Sequence, residues 1–172
     1  MRIEAIDPAS YDDAIAGLAA LLVDAVDGGS SVNFLAGVTT EETAAWWAAR
    51  SDAVRAGTIT VFAARDQGDR IVGSTLLERS TNPNSPHRAE IGKVIVHRSA
   101  RRQGIATALM RAAEERARAE GRWMLVLDTV TDSPAAALYE SLGWQTVGTI
   151  PGYALDTDGV PEAATYYYKD LR

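Results

Sequence analysis

A β-rich run, Val94-Ile95-Val96, passes through His97-Arg98-Ser99-Ala100-Arg101-Arg102-Gln103 and gives way at Gly104-Ile105-Ala106 to a strongly helical stretch. No other feature restricts the fold as much. A strand that feeds a helix through a basic, glycine-bearing turn sets the helix N-terminus at the end of a sheet. The unsatisfied N–H groups and dipole of that N-terminus make a ready anion site. Gly104 and the small Ala106 let the backbone approach an anion closely, while Arg101 and Arg102 bring donors suited to phosphate geometry. Neither Gly-x-x-x-x-Gly-Lys-Ser/Thr nor Gly-x-Gly-x-x-Gly occurs, which argues against a P-loop kinase and a dinucleotide enzyme.

The surrounding pattern predicts a mixed α/β sheet. Met1 to Ile6 reads as a first strand, and Ser10 with Asp13 as a capping box that opens a helix with Tyr11, Ile15, Leu18 and Leu22 on its buried stripe. Gly28-Gly29 ends that helix; Thr39 with Glu42 starts a second, running through Trp46 and Trp47 to about Arg55. Thr58–Ala64 and Ile71–Leu77 form a hairpin around Asp66-Gln67-Gly68-Asp69, and Glu90–Val96 follows as a third β-run. Beyond the helix from Gln103 to about Glu120, the apolar run Trp123–Thr129 predicts a central strand covered on both faces. Ser133-Pro134 caps a short helix ending at Gly143, and Gln145–Ile150 and Ala164–Lys169 complete the sheet. The expectation is a largely antiparallel sheet of about six or seven strands flanked by about four helices.

A chain of 172 residues fits one domain, 1–172, and can bury a core without staples. It has no cysteine, so disulfides, thiolate metal sites and cysteine nucleophiles are excluded. Its two histidines, His87 and His97, have no second ligand at metal spacing and read as surface residues, so no metal is expected. A net charge of −6 argues against nucleic acid as a partner. The start lacks a signal-peptide pattern and Leu18–Val26 is too short to span a bilayer, so no membrane role and a cytoplasmic location are expected.

A second motif lies downstream: Asp132-Ser133-Pro134-Ala135-Ala136-Ala137-Leu138-Tyr139-Glu140-Ser141-Leu142-Gly143-Trp144. Together with Ala89–Met110 it resembles the GNAT superfamily of acyl-CoA N-acyltransferases, whose Arg/Gln-x-x-Gly-x-Gly/Ala loop and Asn-x-x-Ala-x-x-Leu-Tyr-x-x-x-Gly-Phe helix these segments match. The resemblance covers about residues 89–150 and implies acetyl-CoA as cosubstrate. It places pyrophosphate on Arg101, Arg102, Gln103, Gly104, Ile105, Ala106 and Thr107, and the pantetheine arm along the backbone of Val94, Ile95 and Val96. Asp132, where the family usually has Asn, and Ala135 would complete the cofactor contacts.

The implied chemistry is transfer of acetyl from acetyl-CoA to the amine of a small molecule. An alkylamine with a pKa of about 10 is mostly ammonium at neutral pH, so a base or a water chain must take its proton. Glu90 matches the strand glutamate that some family members use, and Asp128 stands at the end of an apolar strand, where ligands gather in parallel sheets. Glu90, Asp128 and water all stay open as the base. The resemblance makes Tyr139 the general acid that reprotonates the departing thiolate.

For the acceptor, Trp46 and Trp47 are candidate pocket residues, with Asp128 receiving the ammonium. The C-terminal segment Ile150-Pro151-Gly152-Tyr153-Ala154-Leu155 through Thr165–Lys169 resembles the tabtoxin-resistance type of bacterial acetyltransferase, which turns Tyr153 toward the acceptor and suggests an amino-acid-like antibiotic or toxin. Peptide or protein N-acetylation, and a CoA-binding sensor without turnover, are the alternatives. Homodimers are frequent among similar proteins, so a homodimer is one expectation.

Overall fold

The computed structural model describes all 172 residues. Strands β1 (Arg2–Ala5), β2 (Ile59–Arg65), β3 (Ile71–Arg79), β4 (Arg88–Val96), β5 (Met124–Val130), β6 (Gln145–Leu155) and β7 (Pro161–Asp170) form one sheet in the order β1-β2-β3-β4-β5-β7-β6. Helices α1 (Tyr11–Asp27), α2 (Thr40–Ala48) and α3 (Ser51–Arg55) cover one face, and α4 (Ile105–Ala119) and α5 (Pro134–Ser141) the other. Alternation along the strands divides the core between the two faces. Val61 and Ala63 join Leu18, Leu22 and Trp47 under α1, while Phe62 and Ala64 join Leu109, Met110 and Ala113 under α4. No helix is long and apolar enough to cross a membrane.

Local chemistry accounts for the helix ends. Thr39 and Glu42 form a reciprocal capping box, and the Ser133 hydroxyl accepts from the Ala136 N–H with Pro134 at the first turn. Ser10 makes no such cap; the chain enters α1 through a 3₁₀ turn, Pro8–Ser10, capped by Asp7. The single helix expected from Thr39 to Arg55 breaks in two. At the end of α2 the Arg50 guanidinium donates to the Trp46 carbonyl (2.7 Å), while the Trp47 carbonyl accepts from the Tyr11 hydroxyl and the Arg50 N–H (3.0 Å each), so these carbonyls are satisfied without a continuing helix and the chain turns. Helix α4 sits hard against β3: a Cβ on Gly73 would come within 2.9 Å of Ile105 and 3.1 Å of Leu109. That close approach fixes where the α4 N-terminus lies.

Strand β5 departs from expectation. It buries only Leu125 and Leu127, on the α4 face, while Val126 and Asp128 point to a face that α1–α3 do not reach. Apolar content alone concealed this, because Val126 stays half-covered by its neighbours.

The α4 C-terminus is anchored by a partly buried ion pair. Arg79 donates to both Glu120 carboxylate oxygens, at 2.7 Å each, and to Thr60 (2.9 Å). The hydrogen bond from Arg79 chiefly, against the opposing pull of burial and with help from Arg116, holds the Glu120 carboxyl down to about 2. A depressed carboxyl stabilises the fold fully above the unfolded value near 4.5, and that contribution drains as pH falls toward 2. Glu120→Gln is expected to lower stability at pH 7 by about 1–3 kcal/mol, because the buried guanidinium loses its counter-charge. It should also flatten the acid limb over that window. Urea unfolding at neutral and acid pH reads both effects.

Candidate active site

Strands β4 and β5 are the sheet's one parallel pair, and they pair at only three positions, Arg88 with Met124, Ala89 with Leu125 and Glu90 with Val126. Beyond Glu90 the strands part. The cause is a bulge: between the Ser74–Ile95 and Leu76–Gly92 pairs, β4 carries an extra residue, and Lys93 takes a left-handed φ of +51°. Ser74 Oγ donates to the Lys93 carbonyl (3.1 Å) and Thr75 Oγ1 to the Gly92 carbonyl (3.2 Å), so β3 side chains hold the kink. The backbone of Val94, Ile95 and Val96 then has no strand partner on the side of the split, where the Val96 carbonyl meets only the Arg101 side chain, and this leaves an edge that an extended ligand arm could follow.

At one mouth of the split lies the basic turn. The N–H groups from Arg102 to Thr107 find no acceptor within the chain. Arg102 (φ +64°) and Gly104 (φ +76°) take left-handed φ just after the extended Arg101, so the chain turns sharply into the α4 N-terminus with these N–H groups unpaired. A Cβ on Gly104 would touch nothing in the chain, so the glycine answers to its φ and to whatever approaches from outside. Arg101, Arg102 and Gln103 are exposed, with Arg101 Nε donating to the Val96 carbonyl (3.3 Å), and Ile105 is anchored in the core. A shallow depression of about 480 Å³ continues from Gly104 and Thr107 along α4 to Arg111 and Ile3. A second, of about 420 Å³, lies between α5 and β6–β7 beside Asp132, Ser133 and Ala136. Neither is lined by Tyr139, Glu90 or Asp128.

Tyr139, on α5, is 4% exposed, with its ring 6.2 Å from that of Trp144 and 6.1 Å from that of Tyr167. Its hydroxyl makes no hydrogen bond in the chain and is not among the fully buried polar atoms, so it keeps an outward face. Burial raises its pKa, with Asp128 adding to the rise, so the phenol stays protonated. On the other face of the sheet, register sets Glu78 beside Glu90, and Val126 and Asp128 follow on the same side. Burial pushes the Glu90 carboxyl up, reinforced by Glu78 and then Asp128. Burial also raises Asp128, while Lys93 partly offsets it. Both carboxylates keep solvent access, but the walls of the split crowd them enough to strengthen them as bases. The split thus joins the α4–α5 face, with a protonated phenol, to the α1 face, with two carboxyl groups.

The family model for acetyltransferases of the GNAT family matches residues 31–144, about two thirds of the chain. The chain belongs to the GNAT acetyltransferase family. Solved structures share the fold of this GNAT domain. An N-acetyltransferase from Staphylococcus aureus Mu50 is 20% identical, with 99% of this chain and 98% of that one covered and a TM-score of 0.79. A ribosomal-protein-alanine N-acetyltransferase from Brucella melitensis is 24% identical (99% and 100% covered, TM-score 0.78). A phosphinothricin acetyltransferase from Sinorhizobium meliloti, solved in complex with acetyl-CoA, is 19% identical (99% and 88% covered, TM-score 0.78). At these identities the likeness speaks for the fold, and the acceptors of the relatives differ in kind.

Among the acceptor-side residues of this GNAT domain, Trp47 must be corrected. It is fully enclosed under α1 and belongs to the core. Trp46 is half-buried, edge-on to Phe34 at 6.2 Å. Tyr153 is exposed on β6, and its hydroxyl accepts from Tyr166, which stands in register with Asp128. Asp132 is exposed with φ +58° just before the α5 cap, and Ala135 packs against the core. Each histidine has a partner: His87 stacks on Trp123 at 4.4 Å, and His97 Nε2 lies 3.4 Å from Asp24. Glu78, Arg50, Lys93, Asn33 and Tyr166 were not singled out from the sequence. A lysine interrupting the β-run at 93 was the one available signal.

Proposed function

We propose that the protein is an acetyl-CoA-dependent N-acetyltransferase acting on a small amine. The observation that carries this reading is the split between β4 and β5, with unpartnered N–H groups at one mouth and Tyr139, Glu90 and Asp128 at its centre. In this reading the diphosphate of acetyl-CoA rests on the 102–107 amides and its pantetheine follows the free edge of Val94–Val96. An acceptor ammonium is drawn to Asp128 and Glu90 and loses a proton to one of them, directly or through water. The amine nitrogen bonds to the thioester carbon, the carbon–sulfur bond breaks, and the thiolate takes the Tyr139 proton. The nitrogen's second proton and the one held by the carboxylate leave to solvent, and solvent reprotonates Tyr139.

A small acceptor is favoured by a bridge over the α1 face. The Ala36 N–H, in the α1–α2 loop, donates to the Thr157 carbonyl, in the β6–β7 turn, at 2.8 Å. Those loops come from opposite sides of the split, so a protein tail would have to displace them. A panel of small amines and of peptides, followed by thiol release from acetyl-CoA, tests the reading; with no cysteine in the chain, the protein contributes no background thiol. Turnover with small amines is expected. Release only with peptides would reassign the acceptor, and acetyl-CoA binding without release from any acceptor would leave a sensor.

A further inference from the structure

Four cations that are buried or half-buried, Arg65, Arg79, Arg122 and Lys169, each have a carboxylate partner. Arg50 and Lys93 are also half-buried, yet neither has one. They share the indole of Trp46, with Arg50 Cζ 3.1 Å and Lys93 Nζ 4.7 Å from the ring centroid. Within the chain the Lys93 ammonium donates only to Asn33 Oδ1, and the Arg50 guanidinium only to the Trp46 carbonyl, so most of their N–H groups remain free. A chain with a net charge of −6 does not lack acids to place there.

From this cluster we infer that Arg50 and Lys93, mounted on Trp46, form an oxyanion subsite, and that the acceptor is an amine bearing its own carboxylate or similar acid group. The inference rests on the acetyl-transfer reading and narrows its substrate class. Three further observations support it. Glu78, Glu90 and Asp128 lie on the same face of the sheet, near enough to act through space on Arg50 and Lys93 but in ion-pair contact with neither, so carboxylates for an ammonium and cations for an anion stand side by side. Lys93 occupies the left-handed position of the bulge while Gly92 stands next to it, so the chain carries backbone strain to keep a lysine there. Burial, and then the nearby Arg50, draw the Lys93 pKa down to about 8, with Asp128 and Glu90 offsetting only part of the fall.

The test compares matched acceptors: the common L-amino acids, β-alanine and 4-aminobutyrate, each beside its amide. Thiol release is followed for the native protein, Arg50→Gln and Lys93→Gly. Calorimetric titration of the same compounds into CoA-saturated protein supplies a readout independent of turnover. At least one acid is expected to have a KM about 10- to 100-fold below that of its amide with similar kcat, and both substitutions should erase that preference. Lys93→Gly relaxes the bulge, so its thermal stability should not fall. Equal KM and Kd for acids and amides, a preference that survives both substitutions, or no binding by any acid would overturn the subsite. Turnover without acid preference would leave acetyl transfer standing and remove the subsite. Tight, substitution-sensitive acid binding without turnover would keep the subsite and remove acetyl transfer.

Discussion

Tyr139→Phe is expected to lower kcat by about 10²–10⁴-fold while the affinity for acetyl-CoA stays within a factor of about two. The substitution deletes one oxygen and leaves the ring in its place between Trp144 and Tyr167. Because that hydroxyl has no hydrogen-bond partner in the chain, its loss breaks nothing that holds the fold. Burial keeps the phenol protonated, so its O–H is available to donate, and a departing thiolate with a pKa of about 8.5 is the species that needs a proton. Single-turnover kinetics, with a thermal melt as control, separate the outcomes. Undiminished turnover in a folded variant removes Tyr139 from the chemistry and leaves solvent as the proton source.

The second large effect belongs to the basic turn. Arg101→Ala combined with Gly104→Val should raise the Kd for acetyl-CoA by about 100-fold, and the fold should persist because the turn is exposed. Valine at φ +76° is strained, and relief of that strain rotates the amides that converge at the α4 N-terminus. Losing Arg101 removes a charge-assisted donor from the same anion. Equilibrium titration measures the affinity; a folded double variant that binds acetyl-CoA as tightly as the native chain contradicts the phosphate assignment.

Much of this arrangement was readable in the chain because its determinants are local. Glycines and caps act over four or five residues, so the helix start at Gly104, the capping box of Thr39 with Glu42, and the Ser133-Pro134 cap were readable directly. What the sequence hid depends on register. Glu78 meets Glu90 only through the β3–β4 pairing, and that pairing shifts at a bulge no residue type announces, since Lys93 holds a conformation more often given to glycine. The adjacent tryptophans were equivalent by composition. Helix phase sends Trp47 inward and Trp46 toward the split, and the break after Ala48 brings Arg50 back over the Trp46 ring. The exposed face of β5 was hidden for a similar reason: coverage depends on how far α1–α3 extend across the sheet, which no property of Met124–Val130 records.

The most direct measurement is a crystal structure with acetyl-CoA bound. The account predicts diphosphate oxygens within hydrogen-bond distance of the 102–107 amides, pantetheine alongside Val94–Val96, and the thioester sulfur next to the Tyr139 hydroxyl. Acetyl-CoA seated away from the β4–β5 split, or a sulfur that Tyr139 cannot reach, would contradict it.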